Sequence, residues 1–225
     1  MLTFAKTRRS LLLVVAGAVI AAGGVAPTTT ASAADGCYVQ LQAQNKIAIT
    51  GPYRDVIVKL YDKCGIANFV AIDEYGPAGY DTGFIFDGNT TDHWDIYDDQ
   101  TTGTFNTRSA LAFDDDYNDI AFRSTRTVVK FGSRAAIATK RSANKVTISV
   151  NSTSYFADSE KFTGWNGSSP TIQYKSGSTW KYLKRLTLKG GKASYTYTSS
   201  ATRDYRFVNL DSSNRFGATS PTSRR

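Results

Sequence analysis

This sequence holds little that can do acid–base or redox chemistry. Its 225 residues include one histidine (His93), two cysteines and two glutamates (Glu74 and Glu160). One histidine removes most routes to an imidazole-based catalytic or metal centre. Two cysteines are too few for a disulfide scaffold or a closed thiolate zinc site. No G-x-S-x-G, P-loop or H-E-x-x-H segment occurs. No apolar run reaches the ~20 residues that span a bilayer. Amphipathic helical pattern is almost absent too, with Ser133 to Lys140 the one short candidate. The chain is nevertheless 41% hydrophobic and 12% aromatic, too apolar for a disordered polymer.

The first 34 residues read as an address. Lys6, Arg8 and Arg9 precede the apolar run Leu11 to Ala22, and Ala31-Ser32-Ala33 is an A-x-A cleavage signature. The long apolar stretch favours the general secretory route. Thr7-Arg8-Arg9-Ser10-Leu11-Leu12 loosely resembles a twin-arginine signal, the alternative route. The expected product is secreted and extracellular, with no membrane span. In an oxidising compartment Cys37 and Cys64 are expected to pair, tying the start of the mature chain to the end of the next hairpin.

Beyond the leader the dominant period is two. Lys46 to Thr50, Asp55 to Tyr61, Phe69 to Ile72 and Gly83 to Phe86 alternate β-branched or aromatic residues with polar ones. So do Val146 to Val150, Thr171 to Tyr174, Trp180 to Leu188 and Tyr205 to Leu210. Asp87-Gly88, Asn166-Gly167, Lys175 to Ser178 and Gly190-Gly191 mark hairpin loops. About fourteen short strands at this spacing predict an all-β fold of two tandem antiparallel β-sandwiches. Charge divides the chain. Residues 35–125 carry 15 acidic and 6 basic residues, a net of −9. Residues 126–225 carry 4 acidic and 18 basic, a net of +14. The expected organisation is therefore a leader (1–34), an acidic sandwich with the disulfide (35–125) and a basic sandwich (126–225). Attraction between the two is one expected source of docking.

Three segments of the basic half carry a resemblance: Thr179-Trp180-Lys181-Tyr182-Leu183, Gly191 to Tyr197, and Asp204-Tyr205-Arg206-Phe207. With Gly217-Ala218-Thr219-Ser220 at the end, this half resembles immunoglobulin-like domains of secreted actinobacterial proteins. The first half echoes it weakly through Trp94 and Gly103. The resemblance implies immunoglobulin-like sandwiches with adhesion, binding or spacer roles. It also implies a tyrosine-corner position for Tyr205, with its hydroxyl on backbone. It brings no catalytic residues.

Asp114-Asp115-Asp116-Tyr117-Asn118-Asp119 is the sharpest chemical feature. Oxygen ligands at alternating loop positions suit calcium, so Asp114, Asp116, Asn118 and Asp119 are candidate ligands and calcium the one candidate cofactor. The run lacks the glycine and glutamate of an EF-hand, and a solvated loop that blunts an edge is the alternative. Asp92, Asp95, Asp98 and Asp99 form a second acidic group. No carboxylate pair has the apolar surroundings that would raise a pKa for glycoside hydrolysis. His93 reads as a packing or turn residue sooner than a base or ligand.

In the basic half, Trp180, Tyr182, Lys181, Lys184 and Arg185 are candidate ligand-binding residues, with Trp180, Tyr182 and Lys184 on one strand face and Lys181, Leu183 and Arg185 on the other. The bland alternative is a solvated outer face with the tryptophan in the core. Candidate partners are an extracellular polyanion, a cell-wall glycan or a protein; nucleic acid is the least favoured. The functional expectation is a non-catalytic secreted binding or surface module. The alternative is an enzyme inhibitor or hydrolase acting through acidic-domain loops, with Tyr75 to Tyr80 the best inhibitory loop.

Overall fold

The computed structural model describes residues 36–225, so the leader at 1–34 lies outside the described residues. The strands, in chain order, are β1 (Tyr38–Gln42), β2 (Lys46–Ile49), β3 (Tyr53–Asp62), β4 (Phe69–Gly76), β5 (Gly79–Asp87), β6 (Thr91–Tyr97), β7 (Gly103–Phe113), β8 (Ala121–Arg123) and β9 (Arg126–Phe131). They continue as β10 (Ser133–Ser142), β11 (Lys145–Phe156), β12 (Lys161–Gly164), β13 (Ser168–Ser176), β14 (Thr179–Arg185), β15 (Lys192–Thr198), β16 (Asp204–Leu210), β17 (Ala218–Thr219) and β18 (Ser223–Arg224). One 3₁₀ turn, Ala157–Ser159, is the only helical element among the described residues. Ser133 to Lys140, whose short pattern admits a helix, is instead strand. Its ten-residue pairing with β11 outweighs a weak local preference.

Sheet I has the order β6-β3-β1-β8 and sheet II the order β2-β9-β7-β4-β5. Their inward residues form one core, built on Val39, Leu41, Val56, Val58, Val70, Ile72, Phe84, Phe86, Trp94 and Phe105. Sheet III is β10-β11-β12, with β15 also on β11. Sheet IV is β14-β13-β16-β17, with β18 also on β16. Val146, Ile148, Val150, Ile172, Leu188, Tyr205 and Phe207 form the second core. The class is all-β, two β-sandwiches in tandem, as the alternation predicts. Among the strands named above, pairing is antiparallel except at β1–β8 and β2–β9. Both follow from the opening of the chain, which leaves sheet I after Gln42 and joins sheet II at Lys46.

Charge arithmetic groups Arg126 to Phe131 with the basic half. In the structure this segment is β9, hydrogen-bonded between β2 and β7 of the first sandwich. The chain passes to the second sandwich at Gly132, whose N–H donates to Ile49 O. No room exists there for a side chain, since a Cβ would lie 2.6 Å from Thr50 Cγ2. Residues 36–131 then carry a net −6 and residues 132–225 a net +12.

The disulfide Cys37–Cys64 is present, as expected, with 27 residues of separation. Closing a loop of that length contributes about 3.5 kcal/mol in the chain-entropy picture. Docking of the sandwiches owes little to net charge. Among the described residues the one ion pair across them, Lys46–Asp211 at 3.9 Å, is exposed at both ends, and such pairs contribute little. Directional bonds do more. Segment Asn214–Phe216, from the second sandwich, extends the β9 ladder: Phe131 N donates to Asn214 O and Phe216 N to Phe131 O. Lys130 Nζ donates to Ser212 O at 2.6 Å, and within the second sandwich Ser133 Oγ holds the same segment through Phe216 O at 2.6 Å. The Arg215 guanidinium lies against both Phe131 and Phe156.

Candidate functional site

Two solvent-facing sheet surfaces carry the chemistry. The first is the outer face of sheet IV. Paired residues on neighbouring strands share a face, and the register sets Tyr182 against Gln173 and Gln173 against Arg206. Trp180 pairs with Lys175 on the same side. A bulge then inserts Leu183, whose side chain packs against the second core, so Lys184 pairs with Ile172 and Arg185 with Thr171. Strict alternation places Lys184 with Trp180 and Tyr182. The bulge reverses that: Arg185 joins the outer face and Lys184 turns inward, its Nζ 5.8 Å from the Tyr195 ring. The Arg185 N–H donates to Tyr182 Oη at 2.8 Å.

Trp180 is half-buried but lies outside the core. The Arg206 guanidinium covers one side of its indole at 4.4 Å and donates Nε–H to Gln173 Oε1 at 2.7 Å. The parallel between Trp94 and Trp180 therefore fails. Trp94 is fully buried between sheets I and II, where it donates to Asp81 Oδ2 at 2.9 Å. Lys175, Arg185, Arg206, Trp180 and Tyr182 together make a cationic, aromatic surface, with Tyr182 63% exposed. Lys181 pairs with Tyr174, on the inner side of the edge strand.

The tyrosine-corner expectation is corrected in its partner. Tyr205 is buried, but its hydroxyl meets the Tyr197 hydroxyl at 2.6 Å rather than backbone. Burial, then that bond, push the Tyr205 phenol well above its ordinary range.

The second surface is the outer face of sheet II. Ile85, Ala71 and Leu111 form a row across β5, β4 and β7, with Ile85 and Leu111 each 56% exposed. The next row holds Asp87, Phe69 and Phe113. Phe69 stacks on Phe113 at 5.2 Å and Phe113 on Tyr117 at 5.5 Å. At the other end Tyr75 and Tyr80 meet edge to face, and Arg108 covers Tyr75. The Tyr75 to Tyr80 hairpin is pinned here. A Cβ on Gly76 would overlap the Phe105 ring, and one on Gly103 would lie 2.5 Å from Pro77.

Tyr117 stands on the acidic loop. Asp114 Oδ1 accepts the N–H groups of Asp116 (3.0 Å) and Asn118 (2.8 Å), and Oδ2 accepts the Asn118 amide at 3.1 Å. The Asn118 amide, then its backbone N–H, hold the Asp114 carboxyl below its ordinary pKa. The chain's own donors occupy this carboxylate, and among the described residues no three His, Cys, Asp or Glu side chains are grouped to hold a metal. Asp114, Asp116 and Asp119 are not brought together; Asp119 bridges back to Phe113 through its backbone. The loop holds Tyr117 at φ 61°, ring outward and 81% exposed. Asp114→Ala is expected to lower the melting midpoint of the chain, with calcium or chelator moving neither protein. A calcium-dependent midpoint in the parent chain would overturn this account of the loop.

Glu74 shows what alternation can reveal and the search for carboxylate pairs passes over. It continues the inward series Val70, Ile72, Glu74 and is 1% exposed. The registers with β5 and β7 both slip beside it, at Asp81 and at Arg108. Its Oε2 has no hydrogen-bond partner. Burial, then the Asp81 carboxylate, push its pKa up to about 8. Apolar surroundings for a carboxyl do exist in this chain, inside a sandwich core rather than in a cleft. His93 lies on the open outer face of sheet I, its Nδ1 2.9 Å from both Asp55 oxygens, and that hydrogen bond raises its pKa.

No protein-family profile and no curated protein matches the chain. Among solved structures it is similar to a segment of two fibronectin type-III domains from chicken tenascin, at 8% identity over 82% of this chain and 95% of that one, with a TM-score of 0.39. It is similar also to fibronectin(III)-like modules of Clostridium thermocellum CbhA, at 11% identity over 83% and 90%, with a TM-score of 0.34. Bovine butyrophilin matches at 12% identity over 84% and 99%, with a TM-score of 0.36.

Proposed function

We propose that this chain is a secreted, non-catalytic binding module that holds an acidic extracellular polymer, a cell-wall polyanion or acidic polysaccharide, on the outer face of sheet IV. The observation that carries the reading is the sharing of one solvent face by Lys175, Arg185, Arg206, Trp180 and Tyr182. Guanidinium and ammonium groups meet carboxylate or phosphate, while exposed aromatic rings offer flat apolar area to a sugar ring or polymer backbone. The bulge at Leu183 supports it, because it turns Arg185 toward the aromatics. Secretion agrees with the Cys37–Cys64 bridge and with the absence, among the described residues, of a helix long and apolar enough to cross a membrane.

The test is retention on immobilised polygalacturonate across a salt gradient. The parent chain is expected to bind at low salt and elute as screening grows. Arg185→Glu combined with Arg206→Glu is expected to weaken binding about tenfold or more. Absence of low-salt retention, or retention unchanged by the double substitution, would overturn the reading.

A further inference from the structure

Polymer binding as proposed on sheet IV leaves the outer face of sheet II unused. Its centre is Ile85, Leu111, Phe113 and Tyr117, all on the solvent side; Asp87 lies in the same row as Phe113, and the exposed Asp115 and Asp116 directly precede Tyr117 in the loop. A contiguous apolar surface with a polar rim marks an interaction site. We propose that this face docks the outer face of sheet IV of a second copy of the chain.

Charge selects that occupant. The first sandwich carries a net −6 and the second a net +12. The carboxylate rim of one face therefore meets Lys175, Arg185 and Arg206 of the other. The apolar parts match too. Trp180, Tyr182 and Val208 share the sheet IV face and offer ring and aliphatic area to Ile85, Leu111 and the Phe113–Tyr117 stack. Aromatic side chains flanked by cations are the usual anchors of an interface. Tyr117 is already fixed by the Asp114 loop, so little ordering is lost on docking. Because the two faces differ, pairing leaves one of each unused. Association is heterologous, growing into chains or closing into a ring. The inference rests on the reading of sheet IV as a face for acidic partners, here supplied by the protein itself.

Sedimentation velocity of the purified chain, from about 1 to about 100 μM, tests it. At about 50 mM salt the sedimentation coefficient is expected to rise with concentration, and at about 0.5 M salt the rise is expected to vanish. Leu111→Lys on one face, or Lys175→Glu with Arg185→Glu on the other, is expected to weaken association at least about tenfold. Tyr117→Ser, at a side chain 81% exposed, provides a second sheet II variant. Mixing a sheet II variant with the sheet IV variant leaves one intact face of each kind, so the mixture is expected to form a 1:1 dimer and nothing larger. A monomer at every concentration, association indifferent to the sheet IV variant, or a mixture that stays monomeric would each overturn the proposal. Polygalacturonate retention separates the two readings. Retention without self-association refutes the docking alone, and self-association without retention refutes polymer binding alone.

Discussion

Glu74→Gln is expected to leave the melting midpoint nearly unchanged at about pH 4 and to raise it progressively above about pH 5. The cause is a proton. In the unfolded chain the Glu74 carboxyl titrates near its ordinary value of 4.5; in the folded chain burial beside Asp81 holds it to about 8. The native state therefore binds the proton more tightly. A raised carboxyl contributes its full relative stability below pH 4.5, and that contribution falls as pH climbs toward 8, where the native state ionises too. The fall is about 1.4 kcal/mol per pH unit, so the accumulated difference is on the order of 4 kcal/mol at pH 8. For about 190 residues that is a shift on the order of 10 °C. Glutamine has the shape of the protonated acid and cannot ionise, so it escapes the penalty. Thermal melts of both proteins from pH 4 to 9 check this. Parallel curves would mean that Glu74 is ionised and satisfied in the native state.

The same residue shows how much of the molecule was legible beforehand. Alternation fixes which side chains enter a sheet core, because side chains of a strand point to opposite faces in turn. Val70, Ile72 and Glu74 form one such series, and following it two residues further than the apolar letters would have placed Glu74 inside. Alternation also delivered the fold class, and turn residues located the β13–β14 hairpin at Lys175 to Ser178 and the tight turn at Gly190-Gly191. Asp87-Gly88 and Asn166-Gly167, expected as hairpin loops, instead carry the chain between strands of different sheets. It fails where a bulge adds one residue. Nothing in Trp180-Lys181-Tyr182-Leu183-Lys184-Arg185 announces the slip at Leu183, which decides the face of Arg185. It is silent, too, on which sheet a strand joins. β9 has the same period as its neighbours, and its place between β2 and β7 depends on long-range hydrogen bonds that composition does not record. The acidic loop was ambiguous for a chemical reason. Oxygens spaced to suit a cation equally suit backbone N–H groups, and Asp114 is used for the latter.

Tyr155→Ala is expected to divide one unfolding transition into two. Tyr155 belongs by sequence to β11 of the second sandwich, yet its ring is buried with the first core, beside Phe131 and Phe162. Its hydroxyl donates to Asp98 Oδ2 at 2.7 Å, and its N–H donates to Gly132 O, at the point where the chain crosses over. Burial, then the Asp98 bond, push the phenol far above its ordinary range, so it stays a donor throughout ordinary pH. With the ring present, neither sandwich can lose its packing without uncovering part of the other. Truncation removes a fully buried aromatic, a loss of about 3–5 kcal/mol. Because the ring bridges both units, much of that loss falls on their coupling. Calorimetry is expected to show a single transition for the parent and two for Tyr155→Ala. Tyr155→Phe keeps the ring and loses only the bond to Asp98, worth about 1.5–3 kcal/mol, so it should melt earlier but still as one unit. A single, merely shifted transition in Tyr155→Ala would assign the coupling instead to the Asn214–Phe216 ladder on β9.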